Sequence, residues 1–132
     1  ERQGSCYWVS VSAAYWNDAE SACRALGGHL ACLKGHTEAD AVAAMAARAG
    51  VSTFWVGLNA RDSKVVFDWS NPKCCSDYRK WISDGPKTEP SKDKDPRCVF
   101  SDTKARLDDD KCSDLKKYVC QAPVSAAAAS CA

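Results

Sequence analysis

The sequence predicts an α+β fold, and the order of its segments carries that reading. Two stretches of helical character, beginning near Trp16 and Thr37, occupy the first half, and beyond Gly50 the chain turns to short β-branched and aromatic runs bounded by turn residues. Helices first and strands later is the α+β arrangement. Nine cysteines in 132 residues add a disulfide framework to a core for which 45% hydrophobic residues are enough.

Each element follows from its local pattern. Tyr7 to Val11, Tyr-Trp-Val-Ser-Val, is rich in β-formers and reads as a first strand. From Trp16 the residues Trp16, Ala19, Cys23 and Leu26 recur at helical spacing, and Gly27-Gly28 supplies the stop. Thr37 with Asp40 three residues later has the form of a capping arrangement. The Ala-rich run through Val42 and Met45 to Ala49 then makes a second helix, ended by Gly50. Strands are expected at Thr53–Leu58, Val65–Trp69, Cys98–Phe100 and Lys117–Cys120. Gly85 to Pro96, with prolines at 86, 90 and 96 and alternating charges, shows neither periodicity; loops of this kind are functional or disordered. The Ala/Ser-rich tail from Ser125 is expected to be loose unless Cys131 ties it down.

Charge and composition exclude several function classes. Lys plus Arg number 18 against 17 Asp plus Glu, so the net charge of +1 gives no electrostatic case for nucleic acid or an anionic membrane. No stretch approaches the roughly 18 consecutive apolar residues of a membrane span. Glu1 to Ser5 is polar and precedes no apolar segment, so any signal peptide has been removed or was never included. The cysteine content favours secretion over a reduced compartment. Zinc is disfavoured because Cys74-Cys75 is the only close cysteine pair, and His29 and His36 sit apart from it. The odd count leaves one thiol free or joined to a second chain. No nucleophile–base pair, Gly-rich phosphate loop or metalloprotease motif is found, and thiol exchange through Cys74-Cys75 is a remote alternative.

An ordered series of landmarks resembles the C-type lectin-like domain family. It runs Cys6-Tyr7; Trp16, Ala19 and Cys23 on a helix; Gly28-His29-Leu30; Trp55-Val56-Gly57-Leu58; Phe67-Asp68-Trp69; Trp81 before the long loop; Cys98-Val99; an acidic turn ending at Cys112; and Tyr118-Val119-Cys120. The resemblance spans Cys6 to Gln121, and a single domain over 1–132 is expected, with core 6–121 and tail 122–132. It implies two helices flanking two small antiparallel sheets and a long ligand-binding loop, with bridges Cys23–Cys120 and Cys98–Cys112. Cys6, Cys32, Cys74, Cys75 and Cys131 are left over. The adjacent Cys74 and Cys75 do not suit a mutual bond, since trans neighbours lie about 3.8 Å apart and bridges favour about 5.5 Å. Side-by-side termini make Cys6–Cys131 one plausible bridge, and any of the five could instead link a homo- or heterodimer.

The family binds sugar through calcium held by Glu-Pro-Asn or Gln-Pro-Asp in the long loop, a further acid before the Cys-Val strand, and the Asn-Asp of Trp-Asn-Asp. This chain offers Glu89-Pro90-Ser91 and Leu107-Asp108-Asp109, with Asp93 or Asp95 as the intervening acid. Ser91 and Asp108 stand where the family has Asn, and Leu107 replaces Trp. Glu89, Asp95, Asp108 and Asp109 could supply several of the 6–8 oxygens calcium takes. An ionised Asp108 donates no hydrogen bond and Ser91 offers one short hydroxyl, so the calcium-bridged sugar geometry is not matched. The resemblance therefore implies a secreted lectin, not an enzyme, that takes sugars, N-acetylhexosamines among them, through Glu89, Ser91, Asp108 and Asp109. Calcium is then not required in the usual way, or Ca2+ serves as cofactor. The alternative for Asp108 to Asp110 is a solvated turn. Trp55, Trp69 and Trp81 are assigned to packing, with Tyr78 and Phe100 as weaker core residues. His29 is structural, His36 lies in a loop, and Cys32 is core or bridged. The alternative is a lectin-fold module for protein, mineral or ice surfaces.

Overall fold

Thr53–Ala60 forms the strand β3 around which the chain is arranged, and its burial explains its composition. Phe54, Trp55, Val56 and Leu58 are fully buried, the near-continuous apolar run expected of a strand covered on both faces. The computed structural model describes residues 5–61, 67–74, 76–82 and 97–123. Calls on Val65-Val66, on the Gly85–Pro96 loop with Glu89, Ser91, Asp93 and Asp95, on Cys75 and on the tail with Cys131 lie outside them.

In chain order the elements are β1 (Ser5–Val9), α1 (Trp16–Ala25), β2 (His29–Leu30), α2 (His36–Arg48), β3, β4 (Asp68–Trp69), β5 (Arg97–Asp102), β6 (Leu107–Lys111) and β7 (Lys117–Pro123). The α+β class is as the sequence predicts. The expected pair of antiparallel sheets is joined into one mixed sheet, because β7 serves both halves. Its first residues run parallel to β3, at Phe54↔Lys117 and Trp55↔Tyr118, and the remainder pairs antiparallel with β1 and β2. The strand path is β1-β7-β3-β5-β6, with β2 on β7 and β4 on β3.

Helix α1 buries Trp16, Ala19, Glu20 and Cys23. Leu26, expected on that stripe, is instead the C-cap and 45% exposed, since the helix ends at Ala25 and Gly27 turns the chain away at φ 91°. Glu20 is only 4% exposed, and four groups compensate its charge. Oε1 accepts from the Leu30 amide and the Ser70 hydroxyl, both at 2.9 Å, while Oε2 accepts from Arg24 Nε at 3.0 Å and lies 2.6 Å from His29 Nδ1. Trp16 Nε1 donates to the Val56 carbonyl at 2.8 Å and anchors the helix on β3.

The N-cap of α2 is Gly35, not Thr37, and no side chain caps it; Glu38 reaches back to accept the Lys34 amide at 2.9 Å. Val42 is buried, Met45 half-buried, and Gly50 closes the helix at φ 79°. Bridges join Cys23 to Cys120 and Cys98 to Cys112, as the resemblance implies, and a third joins Cys32 to Cys74. That third bridge removes Cys32 and Cys74 from the candidates for an intermolecular link. Cys6 is disulfide-bonded as well.

Candidate functional site

The segment Leu107–Lys111, expected as an acidic turn, is the strand β6, paired antiparallel to β5 in a hairpin whose turn holds Ala105 at φ 62°. Alternation of side chains along paired strands then sorts its residues between two faces. Val99↔Asp109 and Ser101↔Leu107 lie on one face, and Val99, Leu107, Ser101 and Asp109 are all buried there. Phe100↔Asp108 and Cys98↔Asp110 lie on the other. The Cys98–Cys112 bridge, with Cα atoms 5.0 Å apart, fixes the open end of the hairpin.

The adjacent candidates Asp108 and Asp109 therefore belong to opposite faces. Asp109 carries the more demanding environment, its side chain only 2% exposed. An isolated carboxylate there would be costly, and Arg97 answers it: the two residues are diagonal neighbours across the hairpin, and Arg97 Nε donates to Asp109 Oδ2 at 2.8 Å. The second oxygen, Oδ1, is buried without a hydrogen-bond partner among the described residues. Asp108 Oδ1 accepts the Asp109 amide at 2.9 Å. Asp110 lies 3.2 Å from Lys116 Nζ, and that ammonium also sits over the Phe100 ring at 4.4 Å and the Trp55 ring at 5.4 Å. Burial acts to raise the Asp110 pKa, but hydrogen bonds from Asp114 and the Lys111 amide, together with Lys116, hold it below the usual carboxylate range. The hydrogen bond to Asp110, then burial and the Asp110 charge, raise the Asp114 carboxyl in turn.

The aspartates among the described residues do not by themselves make a calcium cage. Asp109 already has a guanidinium as its cation and Asp110 has an ammonium, while Asp108 and Asp109 project from opposite faces. Among the described residues no group of three or more His, Cys, Asp or Glu side chains could hold a metal. Glu89, Ser91 and Asp95, the other sequence candidates, lie outside the described residues. Arg97 was not among the candidates. Its signal was the period of two that places it with Val99 on the face meeting Asp109.

The aromatic residues follow the packing assignment where it was strongest. Trp55 is fully buried, Trp69 is 8% exposed with Nε1 donating to the Ser76 carbonyl, and Tyr78 is 6% exposed with its hydroxyl donating to the Ala105 carbonyl at 2.6 Å. Trp81 and Phe100 are half-buried; Trp81 meets Phe67 edge-on at 5.7 Å.

Comparison with known proteins agrees with this architecture. The family model described as the lectin C-type domain matches residues 12–122. Lectin BRA-3 of Megabalanus rosa is 31% identical over 127 residues, covering 94% of this chain and 75% of that protein. A C-type lectin galactose-binding isoform of Pseudechis porphyriacus is 31% identical over 126 residues, covering 91% and 78%. Among solved structures, human lithostathine superposes with a TM-score of 0.74 at 21% identity, covering 93% of this chain and 95% of that one. A calcium-independent type II antifreeze protein does so with a TM-score of 0.74 at 23% identity, covering 93% and 90%. The two structures share the fold.

Proposed function

The chain belongs to the C-type lectin domain family, and we propose that it is a carbohydrate-binding lectin, non-enzymatic, taking sugar by direct hydrogen bonding without a bridging calcium ion. The observation that supports this most is the Arg97–Asp109 pair, in which a guanidinium, not a metal, balances the buried carboxylate. Asp109 Oδ1 is a charged acceptor without a donor. Because Oδ1 is buried, this contact requires the surface above it to open; a sugar hydroxyl admitted there would make a charge-assisted hydrogen bond, worth about 1.5–3 kcal/mol where the acceptor is charged. Glu89 and Ser91 would supply a further acceptor and a hydroxyl, whereas Asp108 faces the other side of β6 and would meet sugar only from there; N-acetylhexosamines are the sugars to try first. The similar protein named as galactose-binding supports the carbohydrate class without fixing which sugar.

A secreted location accords with three bridges among the described residues. The odd cysteine count favours a disulfide-linked pair, in which two sites would add avidity to a weak single site. Mass with and without reductant tests the pair.

The deciding experiment is binding to immobilised monosaccharides, N-acetylhexosamines included, first with calcium and then with excess chelator. Binding that survives chelation is the expected result. Binding lost on chelation would return Glu89, Asp95, Asp108 and Asp109 to a calcium site. Adsorption to protein, mineral or ice with no sugar binding in either buffer would replace the lectin reading.

A further inference from the structure

Away from the hairpin, two adjoining cavities share Lys34. One, of about 320 Å³, is lined by Lys34, His36, Asp77, Tyr78, Arg79 and Lys80. The other, of about 210 Å³, is lined by Lys34, Lys73, Asn71, Ser5 and Gln121 among others. Together they gather four cationic side chains against one carboxylate, Asp77, in a chain whose totals are 18 and 17. The lining itself therefore carries a local excess of positive charge, with Glu38 beside Lys34 and Asp40, Asp68 and Asp102 acting on the walls behind it. Lys34, Lys73 and Lys80 are exposed, and among the described residues none of them is ion-paired.

The fold builds this arrangement from distant segments. The Cys32–Cys74 bridge, Cα atoms 6.1 Å apart, ties the stretch bearing Lys34 to the one bearing Lys73. Arg79 has a different duty: its guanidinium donates to the carbonyls of Ser76, Tyr78 and Phe67 and lies 5.7 Å from the Trp69 ring centroid, so it holds the wall while the lysines face outward. Glu38, beside Lys34, accepts from the Lys34 amide, the Tyr7 hydroxyl and the Gln121 amide; it is held by these neutral donors, with no ion pair to the Lys34 ammonium among the described residues, and adds a second carboxylate at the rim.

We propose that this double groove is a second binding site, separate from the hairpin and independent of the reading given for it, and that it takes a sulfated polysaccharide. Concave, basic surfaces concentrate polyanions, and contacts made through lysine weaken steeply with salt. A nucleic acid fits less well, because base stacking needs an open ring. Tyr78 is buried with His36 edge-on to it at 5.3 Å, and among the described residues no other Phe, Tyr or Trp lines either cavity. The amide and hydroxyl groups of Asn71, Gln121 and Ser5 offer instead the neutral hydrogen bonding that a sugar backbone uses.

The test is binding of the intact protein to immobilised dextran sulfate across a salt series, with neutral dextran as control. The variants are Lys34→Gln and Lys80→Gln, singly and together, with Arg48→Gln, at the far end of α2, as the control matched in charge to each single variant. Wild type is expected to bind dextran sulfate and not dextran. The double variant should bind roughly tenfold or more weakly, and its log Kd against log salt slope should fall by about 1.5. Arg48→Gln should change neither, and all variants should melt alike. Absence of binding at about 50 mM salt, or equal loss in Arg48→Gln, overturns the groove. Equally tight binding of a thymidine oligonucleotide with the same lysine dependence overturns the sulfated-sugar assignment. Monosaccharide binding measured on the same proteins should survive in the double variant; its loss there would make the two sites one. Its absence from wild type would count against the hairpin reading alone.

Discussion

Replacing Arg97 by Met keeps an unbranched apolar stem as far as the Nε position and removes the guanidinium. Asp109, with a side chain 2% exposed, would then have neither oxygen satisfied: Oδ1 already lacks a partner, and Oδ2 would lose Nε at 2.8 Å. Removing one member of a buried ion pair costs roughly 3–5 kcal/mol. The 17% exposure of the Arg97 side chain lets some water reach the vacated position and puts the expectation near the lower end, about 3 kcal/mol. For a chain of this size that is a fall of roughly 10 °C in Tm. Urea unfolding followed by the fluorescence of the five Trp residues measures it with the disulfides intact. The companion is Arg97→Met with Asp109→Leu, which removes both charges and should lie within about 1–2 kcal/mol of wild type. A Tm for Arg97→Met within about 2 °C of wild type would show the pair to behave like a surface contact. A double variant no more stable than the single one would show that the loss is packing, not a stranded charge. Either outcome would remove the argument that a guanidinium stands in for a metal here.

Three further outcomes follow from the same structure. Glu20→Ala strands the buried Leu30 amide and the Ser70 hydroxyl and should cost about 3 kcal/mol, whereas Glu20→Gln keeps an acceptor for both and should cost about 1 kcal/mol, read from urea midpoints at constant slope. Gly28→Ala would place a Cβ 2.0 Å from the Gln121 carbonyl oxygen, forcing β2 away from β7; a loss of more than about 3 kcal/mol is expected, and a Tm near wild type would contradict the close approach. Burial, then its hydrogen bond to Glu38, raises the Tyr7 pKa well above its usual value near 10. Folding thus keeps a proton that the unfolded chain loses, so this contribution is complete below about pH 10 and is lost as pH rises above it. Tyr7→Phe should flatten the alkaline fall of Tm measured between about pH 9 and 11, and an unchanged fall would assign it to other groups.

How far the sequence reaches depends on what makes each element. The stripe Trp16, Ala19 and Cys23 and the run through Trp55 to Leu58 were legible because burial of apolar surface sets their periods. Glu20 was not, since hydrophobic periodicity is blind to an acid whose burial is compensated by partners nine, ten and fifty residues away. The strand β6 was hidden for a related reason. Three consecutive aspartates disfavour strands locally, yet pairing with β5 covers Leu107 and Asp109 on one face and matches Asp109 with Arg97. Tertiary pairing overrode propensity. The cap of α2 was misplaced because Thr37 has the right chemistry, whereas the backbone turns at Gly35.

Net charge misleads in the same way, since it is a sum and recognition depends on position. A value of +1 gives no electrostatic case for nucleic acid or an anionic membrane, but it counts Lys34, Lys73 and Lys80 against acids elsewhere that are already engaged: Asp109 with Arg97, Asp110 with Lys116, Asp102 with Arg106, and Glu20 with Arg24. Such pairs cancel within a few ångströms and contribute little field beyond the Debye length of about 8 Å. The exposed lysines have no such partners and set the potential that a ligand meets. The fold also keeps this groove in fixed relation to the hairpin: the Leu107 amide donates to the Lys80 carbonyl at 2.7 Å, the Ile82 amide to the Leu107 carbonyl at 2.8 Å, and the Tyr78 hydroxyl to the Ala105 carbonyl. One strand thus carries Asp109 toward Arg97 and anchors the segment that presents Lys80. The internally neutralised pair and the uncompensated lysines are products of a single set of backbone pairings, which no count of residues could separate.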